Sequence, residues 1–269
     1  MSSFTTQEVL PGVYHISDAM GVYMTLLVGK ERALLVDTGY GLEDISKTVQ
    51  TLADKPLTVL LTHAHHDHAL GAKWFREVRM FPQDLPAWPV YTGKAQRRAV
   101  AKQAESKGLP VPADFLNAPM PEPKPLPEER LSLGGMTAQV ILCPGHTPGS
   151  AVVYVPERKL LLTGDDWNPC TWLFFPEALP AQAYRNNVCA LLGLPFEHVL
   201  CSHRETLYPR SALESFLLGL TDETLCAARS VDMGRPIDTH EALPSEGQQF
   251  VFDFGKFKQA ASGSKEESR

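Results

Sequence analysis

The chain has 269 residues, of which 43% are hydrophobic and 21% are charged, and its formal net charge is -6. This length is sufficient for one large domain with a substantial core. The mild acidic balance disfavours a nucleic-acid partner, which needs a clustered basic face. No apolar run approaches the roughly 20 residues of a membrane span, so no membrane partner is predicted.

The cysteines of the sequence indicate the compartment. There are five of them, an odd number, and no two form a C-x-x-C pair. Such usage is typical of free thiols in a reducing compartment. The N-terminus shows no basic segment followed by an apolar run, so no secretory signal is predicted. We therefore expect a cytoplasmic protein.

The first part of the chain predicts strands and helices in alternation. Residues 22–28 and 33–36 are apolar, partly β-branched segments joined by a Gly-Lys-Glu-Arg turn, which indicates a hairpin. Residues 42–52 have helical spacing, and residues 57–62 form a buried strand. A further helix is predicted at residues 69–78.

The middle of the chain has a different composition. Residues 94–107 predict a polar helix, and residues 109–127 contain seven prolines. We expect a surface insertion over about residues 93–127. Two roles are open for it: a cap near the mouth of an active site, or a solvated arm with no part in recognition.

The second part repeats the pattern of the first. Strands are predicted at residues 140–143, 151–155, 160–163 and 199–202, then a helix at 212–229 and a late edge strand at 250–254. One domain is thus expected over residues 1–257, with a disordered tail at 258–269 because the tail has few apolar side chains. The fold class is α/β: an αββα sandwich of two mixed sheets with helices on the outer faces.

The most informative segment is His-Ala-His-His-Asp-His at residues 63–68, directly after a predicted strand. By the two-residue period of extended backbone, residues 63, 65 and 67 would point to one side. Imidazole and carboxylate are ligands that zinc prefers. A polar surface turn is the alternative for this motif taken alone.

Three further residues strengthen the prediction of a metal site. His146 lies in Pro-Gly-His-Thr-Pro-Gly after a predicted strand, and Asp165 and His203 each follow the end of another. A lone His or Asp in such a place is more often structural. The ordered series H-x-H-x-D-H, then H, then D, then H is much more specific.

Over about residues 10–210 this motif series resembles the metallo-β-lactamase superfamily, in the form with a bridging aspartate found in glyoxalase II and lactonase-like members. The resemblance implies that one metal ion is bound by His63, His65 and His146. It implies that a second ion is bound by Asp67, His68 and His203. Asp165 would bridge the two ions, and Asp37 would support the histidine loop without contacting a metal.

The resemblance also implies a chemistry. The cofactors would be two zinc ions, with iron or manganese as alternatives, and a hydroxide bridging them would attack the substrate. The substrate would be a small molecule with an ester, thioester, lactone or amide bond. Asp67 would act as the catalytic residue that orients the nucleophile and passes a proton to the leaving group.

Some residues near the motifs have less certain roles. An aromatic segment follows Asp165 and is a candidate substrate pocket, with ordinary core packing as the alternative: Trp167, Trp172, Phe174, Phe175 and Tyr184. Cys201 stands where the family commonly has Pro before its last histidine. We expect a buried, inert thiol there, although alternation would also allow it to face the metals. His66 is expected to point to solvent.

Other functions remain open on the sequence alone. A phosphodiesterase or nuclease of the same fold is disfavoured because no inserted second domain is evident and no basic cluster lies beyond residues 94–107. An iron persulfide dioxygenase of this fold would use one metal, held by ligands like His63, His146 and Asp165, so metal analysis is needed to separate it. A non-catalytic scaffold tends to lose ligands, and none is missing here.

Overall fold

The first half of the chain forms a seven-stranded mixed sheet in the computed structural model, which describes residues 3–126 and 129–266. Its strands lie side by side in chain order: β1 (Thr5–Leu10), β2 (Val13–Ser17), β3 (Tyr23–Val28), β4 (Ala33–Val36), β5 (Leu57–Leu60), β6 (Arg79–Met80) and β7 (Lys124–Pro125). Strands β1 to β4 are antiparallel neighbours joined by short turns, whereas β4 to β7 are parallel. Parallel pairing requires longer crossovers, and the helices of this half lie in them.

The second half supplies another mixed sheet. The chain runs through β8 (Glu129–Ser132), β9 (Thr137–Leu142), β10 (Ala151–Val155) and β11 (Leu160–Gly164), leaves the sheet at β12 (Cys170–Leu173), and returns as β13 (His198–Cys201) and β14 (Tyr208–Pro209). The six strands are ordered β14, β13, β11, β10, β9, β8. Strands β11 and β13 are parallel, so their carboxyl ends lie at the same edge.

The core lies in layers on either side of this second sheet. Apolar side chains of the two sheets meet between them, among them Leu34 and Leu60 of the first and Val153 and Leu162 of the second. The opposite face of the second sheet, which includes Val152, packs into a further apolar cluster. All five residues of β10 are therefore buried, as expected for a strand covered on both faces.

Helices cover the outer faces of both sheets. In the first half they are α1 (Ile45–Leu52), α2 (His66–Ala69), α3 (Trp88–Tyr91) and α4 (Lys94–Ser106); in the second, α5 (Ala181–Ala190), α6 (Arg210–Gly219), α7 (Asp222–Cys226) and α8 (Phe254–Glu266). α1 buries Ile45 and Val49 against the first sheet, and α5 and α6 bury Val188 and Phe216 against the second. The predicted αββα sandwich is confirmed.

A third sheet, absent from the two-sheet prediction, packs beside α5 and α6. Besides β12 it contains β15 (Arg229–Ser230), β16 (Thr239–Ser245) and β17 (Gln248–Asp253), in the order β12, β17, β16, β15. The segment expected as an edge strand at 250–254 is β17, which lies between β12 and β16. The prediction of an edge was wrong because alternation of apolar residues does not show how many neighbours a strand has.

Two predicted helices are shorter than expected. The helix expected at 69–78 is α2 followed by a 3-10 turn, Leu70–Trp74, because the chain there packs very close to Thr38. A Cβ at Gly71 would lie 1.9 Å from the Thr38 carbonyl oxygen. The helix expected at 212–229 is divided into α6 and α7, and Thr221 caps α7 by accepting a hydrogen bond from the Thr224 N–H at 3.2 Å.

The proline-rich insertion packs onto the first half of the molecule. Helix α4 buries Val100 against Phe115 and Leu70. The buried Arg97 guanidinium donates hydrogen bonds to the carbonyl oxygens of Phe115 at 3.2 Å and Ala118 at 2.6 Å. These bonds attach the segment after α4 to the helix, and β7 then joins the first sheet.

The segment expected to be a disordered tail begins inside a helix. Residues 258–266 belong to α8, so the structure differs from that expectation up to Glu266. The reason lies in the residues just before it: Phe254 and Phe257 pack against Phe252 of β17 and fix the start of the helix. Among the described residues, no helix is long and apolar enough to cross a membrane.

Candidate metal centre

The seven predicted ligands lie together at one end of the sandwich, on segments that follow strands β5, β9, β11 and β13. They form two groups, in each of which the candidate ligand atoms lie within 4.8 Å of one another. The first group is His63, His65 and His146. The second group is Asp67, His68, Asp165 and His203. The resemblance implied the same group of three histidines, but it placed Asp165 between the two groups, whereas here Asp165 lies within the second.

The local backbone of the histidine motif differs from the predicted one. Strand β5 ends at Leu60, and His65 is already the N-terminal cap of α2. Asp67 and His68 therefore lie in the first turn of a helix, not on an extended strand. A strand–turn–helix corner, rather than alternation along a strand, brings these side chains together.

Three of the histidines use one ring nitrogen to hold their orientation. Nδ1 of His68 lies 2.9 Å from Asp37 Oδ2, and Nδ1 of His63 lies 3.0 Å from Thr62 Oγ1. Nδ1 of His146 donates to the Trp172 carbonyl oxygen at 2.7 Å. Histidines that bind metals typically use their second nitrogen in this way.

The opposite ring nitrogens point into the cluster. Nε2 of His63 and Nε2 of His68 are buried and have no hydrogen-bond partner within residues 3–126 and 129–266. An unpaired buried polar atom costs about 1–3 kcal/mol, so two of them side by side indicate a missing binding partner. The set of imidazole and carboxylate donors fits divalent metal ions.

Asp165 faces both groups. Its Oδ1 lies 3.4 Å from His68 Nε2 and 3.0 Å from His203 Nε2 in the second group. Its Oδ2 lies 3.1 Å from the same His203 nitrogen and 3.6 Å from His146 Nε2 in the first group. The carboxylate therefore belongs to the second group and reaches the first through Oδ2, a contact that a bridging ligand requires.

The charges of the cluster suit metal binding. Burial, together with the neighbouring histidines, lowers the pKa of His63 well below its usual range and the pKa of His146 to about 4. Both are therefore neutral near pH 7, with a lone pair available. Burial opposes ionisation of Asp165, but its contacts with His203 and His68 outweigh burial and hold the pKa of Asp165 well below its usual range. The acidic neighbours raise the pKa of His68 and of His203 in turn, so a metal ion bound in the second group must displace a proton from each of them.

Asp37 supports the histidine motif from the adjacent strand, as expected. It lies just after β4 with a φ of 65°, in the left-handed region that non-glycine residues rarely adopt. Its carboxylate accepts hydrogen bonds from the Thr62 N–H at 2.7 Å and from the Thr62 hydroxyl, in addition to contacting His68. Strain of this kind persists where surrounding contacts determine it, and here they position a ligand.

Asp84 is a supporting residue that the sequence prediction missed. It is buried, and its Oδ2 accepts hydrogen bonds from the Ala64 N–H at 2.9 Å and the Thr147 hydroxyl at 3.0 Å. Its Oδ1 accepts from the Gly149 N–H at 2.7 Å, and a Cβ at Gly149 would lie 2.6 Å from that oxygen. One carboxylate thus joins the loop of His63 and His65 to the loop of His146. A single acidic residue between prolines gives no sequence signal for this role.

Glu177 and Tyr91 were missed as well. Glu177 Oε1 lies 2.7 Å from His65 Nε2 and also accepts a hydrogen bond from the Tyr91 hydroxyl of α3. Burial alone would raise the pKa of Glu177, but these hydrogen bonds lower it to about 2. With Nε2 occupied in this way, His65 presents Nδ1 to the cluster, 2.9 Å from His146 Nε2.

The predicted aromatic pocket is only partly present. Trp167 and Tyr184 are fully buried in the apolar cluster outside the second sheet, and Phe174 is 2% exposed, so the core alternative holds for these three. Trp172 is 42% exposed. Phe175 is the aromatic residue that contacts the cluster, with its ring centroid 4.5 Å from that of His65 and 5.0 Å from that of His146.

Two other sequence expectations concern His66 and Cys201. The His66 side chain is 22% exposed and its ring stacks 6.4 Å from that of Tyr91, so it lies at the mouth of the site instead of pointing to solvent. Cys201 is buried at the end of β13. Burial raises the pKa of its thiol to about 12, so it stays protonated near pH 7.

Comparison with known proteins gives curated relatives of several kinds. The chain is 30% identical to a probable metallo-hydrolase, YqgX, of Bacillus subtilis over 52% of this chain and 63% of that protein. It is 30% identical to an acyl-coenzyme A thioesterase, MBLAC2, of Gallus gallus over 55% of this chain and 59% of that protein. It is 31% identical to a hydroxyacylglutathione hydrolase of Rhodobacter capsulatus over 55% of this chain and 47% of that protein. The chain thus spans 47% to 63% of the length of these relatives.

Solved structures share the architecture. A metallo-beta-lactamase family protein of Thermus thermophilus, TTHA1429, matches with a TM-score of 0.55 and 22% identity, covering 77% of this chain and 78% of that one. The protein TTHA1623, solved in a di-iron-bound form, matches with a TM-score of 0.52 and 28% identity, covering 72% of this chain and 91% of that one.

A family model also matches this chain and shows which part of it belongs to the family. The model described as the metallo-beta-lactamase superfamily matches residues 17–181. That segment is more than half of the chain and includes every candidate ligand except His203. The chain belongs to the metallo-beta-lactamase superfamily.

Proposed function

We propose that this protein is a dinuclear, zinc-dependent hydrolase that cleaves an ester-like bond, a thioester in the first place, in a small-molecule substrate. The observation that supports it most is the position of Asp165, whose carboxylate contacts His203 of one ligand group and lies 3.6 Å, through Oδ2, from His146 Nε2 of the other. In this proposal His63, His65 and His146 hold one ion. Asp67, His68 and His203 hold the other, and Asp165 holds both. Nitrogen and oxygen donors in such sets are typical of zinc.

The chemistry follows from what such ions supply. When bound, two zinc ions lower the pKa of a water molecule toward neutrality and polarise the carbonyl group of the substrate. The chain itself supplies the proton acceptor. Burial would raise the pKa of Asp67, but His68, His66 and His203 together lower it, so the carboxylate is ionised near pH 7.

Asp67 is placed to move that proton. Its Oδ2 lies 3.6 Å from both His68 Nε2 and His203 Nε2, and its side chain is 15% exposed, so it borders the open side of the cluster. In the proposal it accepts the proton of the attacking water and returns it to the leaving group.

The names of the relatives favour acyl substrates. An acyl-coenzyme A thioesterase and hydroxyacylglutathione hydrolases are among them, and we extend this substrate class to the present chain as a proposal. All five cysteines are free in the structure, which supports the further proposal that the protein works in the reducing cytoplasm.

The test combines metal analysis with one substitution. Metal-loaded wild type is expected to contain about two ions per chain and to hydrolyse at least one thioester or ester from a panel that includes lactones, β-lactams and phosphodiesters. Asp67→Ala should lower that hydrolysis about 10²-fold or more, the usual effect of losing a positioned acid–base group. Asp54→Ala, at an exposed aspartate, is the matched control and should leave the rate unchanged.

Oxygen consumption by an iron-containing protein is the outcome that would contradict the hydrolase proposal. A protein that retains one iron per chain, consumes oxygen with a persulfide and hydrolyses nothing on the panel would contradict the proposal. In that case Asp67→Ala should leave oxygen consumption largely intact, because the single iron would be held by the other ligands.

A further inference from the structure

The hairpin between β15 and β16 reaches the mouth of the cluster. Its tip, residues 231–238, is closed by a hydrogen bond from the Val231 N–H to the Thr239 carbonyl oxygen at 2.9 Å. Within the tip, the Gly234 N–H donates to Asp232 Oδ1 at 2.7 Å, and Gly234 has a φ of +68°. This turn fixes the backbone directly before Arg235.

Arg235 lies over the aromatic residue that contacts the metal ligands. Its guanidinium carbon is 5.2 Å from the ring centroid of Phe175 and 5.9 Å from that of Phe174. The Phe175 ring in turn contacts the rings of His65 and His146. A single phenyl ring therefore connects the cation to the first ligand group.

The ring beneath Arg235 lies beside the residues at the mouth of the site. The Phe175 and Tyr91 rings both contact the His65 ring, with centroid distances of 4.5 Å and 4.3 Å. The His66 ring stacks on Tyr91 at 6.4 Å. The guanidinium over Phe175 therefore lies beside the same ligand as the rings that border the mouth.

The Arg235 guanidinium contacts no carboxylate among residues 3–126 and 129–266. It is exposed, and it forms no ion pair or side-chain hydrogen bond with any residue in the described part of the chain. By contrast, Arg229 in the same hairpin binds Glu241, with Nε 2.8 Å from Oε2. A cation held over an aromatic ring keeps its N–H groups free to bind a planar carboxylate with two hydrogen bonds.

We propose that Arg235 binds a carboxylate group of the substrate while the bond to be cleaved lies at the metal cluster. Substrates are then anionic acyl compounds, such as half-esters or half-thioesters of dicarboxylic acids. The choice of substrate rests on the proposed hydrolase function, but the binding of a carboxylate at Arg235 does not require catalysis.

The kinetic test uses two esters that differ in one charge. p-Nitrophenyl hemiglutarate carries a free carboxylate, and p-nitrophenyl butyrate is neutral and of similar length. Arg235→Gln is expected to raise KM for the hemiglutarate about tenfold, the effect of losing a charge-assisted hydrogen bond, with much smaller changes in its kcat and in KM for the butyrate. Arg98→Gln removes the same charge from an exposed position on α4 and should leave KM unchanged for both esters.

A binding test separates this inference from the proposed function. Titration calorimetry with glutarate measures carboxylate binding without hydrolysis, on protein whose metal content is equal in every variant. Arg235→Gln should weaken glutarate binding about tenfold, and Arg235→Lys should retain part of the affinity because the charge remains. If no ester is hydrolysed but glutarate binding still depends on Arg235, the hydrolase proposal fails and this inference stands. Equal glutarate affinity in wild type and Arg235→Gln, or no glutarate binding by wild type, would overturn it.

Discussion

The ligand cluster and the mouth beside it are neighbouring regions with different construction. The cluster is formed at the ends of strands β5, β9, β11 and β13, which belong to the two sheets of the sandwich. The mouth is formed by residues from short or irregular segments: Tyr91, Phe175, Glu177 and Arg235. The third sheet, α3 and α8 support those segments. Strand ends in a packed core hold reacting groups rigidly, while loops beside them are free to differ in what they recognise.

The largest effect is expected on metal retention, from a substitution at Asp165, which lies where the two ligand groups meet. Asp165→Asn removes the negative charge between the two proposed ions, and metal retention should fall more than about 100-fold, the upper end of the effect of changing groups beyond the ligands themselves. Metal content after dialysis against a chelator measures this. The circular dichroism spectrum should stay unchanged, since the new side chain has the same shape. Full occupancy of both ions in this variant would remove Asp165 from the cluster.

The loops of the cluster should depend on Asp84. Asp84→Ala leaves the buried N–H groups of Ala64 and Gly149 without an acceptor, whereas the Thr147 hydroxyl keeps Ser150 Oγ at 3.0 Å, so the free energy of unfolding should decrease by about 2 kcal/mol. Asp84→Asn keeps one acceptor oxygen, so its free energy of unfolding should decrease less than that of Asp84→Ala. Denaturant titration of metal-free protein separates this from metal binding, and a loss below about 0.5 kcal/mol for Asp84→Ala would show that the two loops hold their positions without it.

Glu177 connects the two regions, because it lies at the mouth and orients a ligand. Glu177→Ala should weaken binding of the first ion about 10- to 100-fold, and Glu177→Gln should weaken it less because the amide oxygen still accepts from His65 Nε2. Competition with a chromogenic chelator measures the affinity. Tyr91→Phe removes only the other hydrogen bond to this carboxylate, so metal affinity in that variant should stay close to that of wild type.

The smallest effect is expected from a substitution at Lys256, which supports the mouth and does not contact the ligand cluster. The Lys256 ammonium of α8 donates hydrogen bonds to the carbonyl oxygens of Phe175 at 3.0 Å, Pro176 at 2.8 Å and Ala178 at 2.7 Å. Lys256→Met should decrease the free energy of unfolding by about 1–2 kcal/mol and raise KM, with unchanged metal content. Lys102→Met, at an exposed lysine of α4, is the control. Loss of metal from Lys256→Met would show that the two regions are not separable.

The sequence predicted the cluster better than the mouth for a physical reason. Metal binding needs particular side-chain types at particular strand ends, so the ordered series that contains His63, His146 and Asp165 is recognisable from the sequence. Asp84 and Glu177 act through ordinary hydrogen bonds, which any buried acidic residue can make. Their roles depend on contacts 20 and 112 residues away along the chain, to Ala64 and His65 respectively.

The third sheet was missed for a related reason. Strand β12 has four residues, and its partner is β17, whose Gln249 lies 79 residues after Cys170. A short segment gives a weak pattern, and its pairing over that distance is not visible in local spacing. The five aromatic residues in and around β12 therefore predict a pocket, whereas three of them, Trp167, Phe174 and Tyr184, are buried in the core.

The long separation between β12 and β17 has a consequence for the order in which this protein is completed during synthesis. All seven candidate ligands precede residue 204, whereas the strand that pairs with β12 begins at Gln248 and the lysine that holds the Phe175 segment is residue 256. A growing chain therefore possesses every ligand before β12 has its partner. During that interval the edge of β12 is unpaired and the segment carrying Phe175 and Glu177 is not yet held. Any metal ion bound at that stage would reach the candidate ligands before the Phe175 segment is attached to α8.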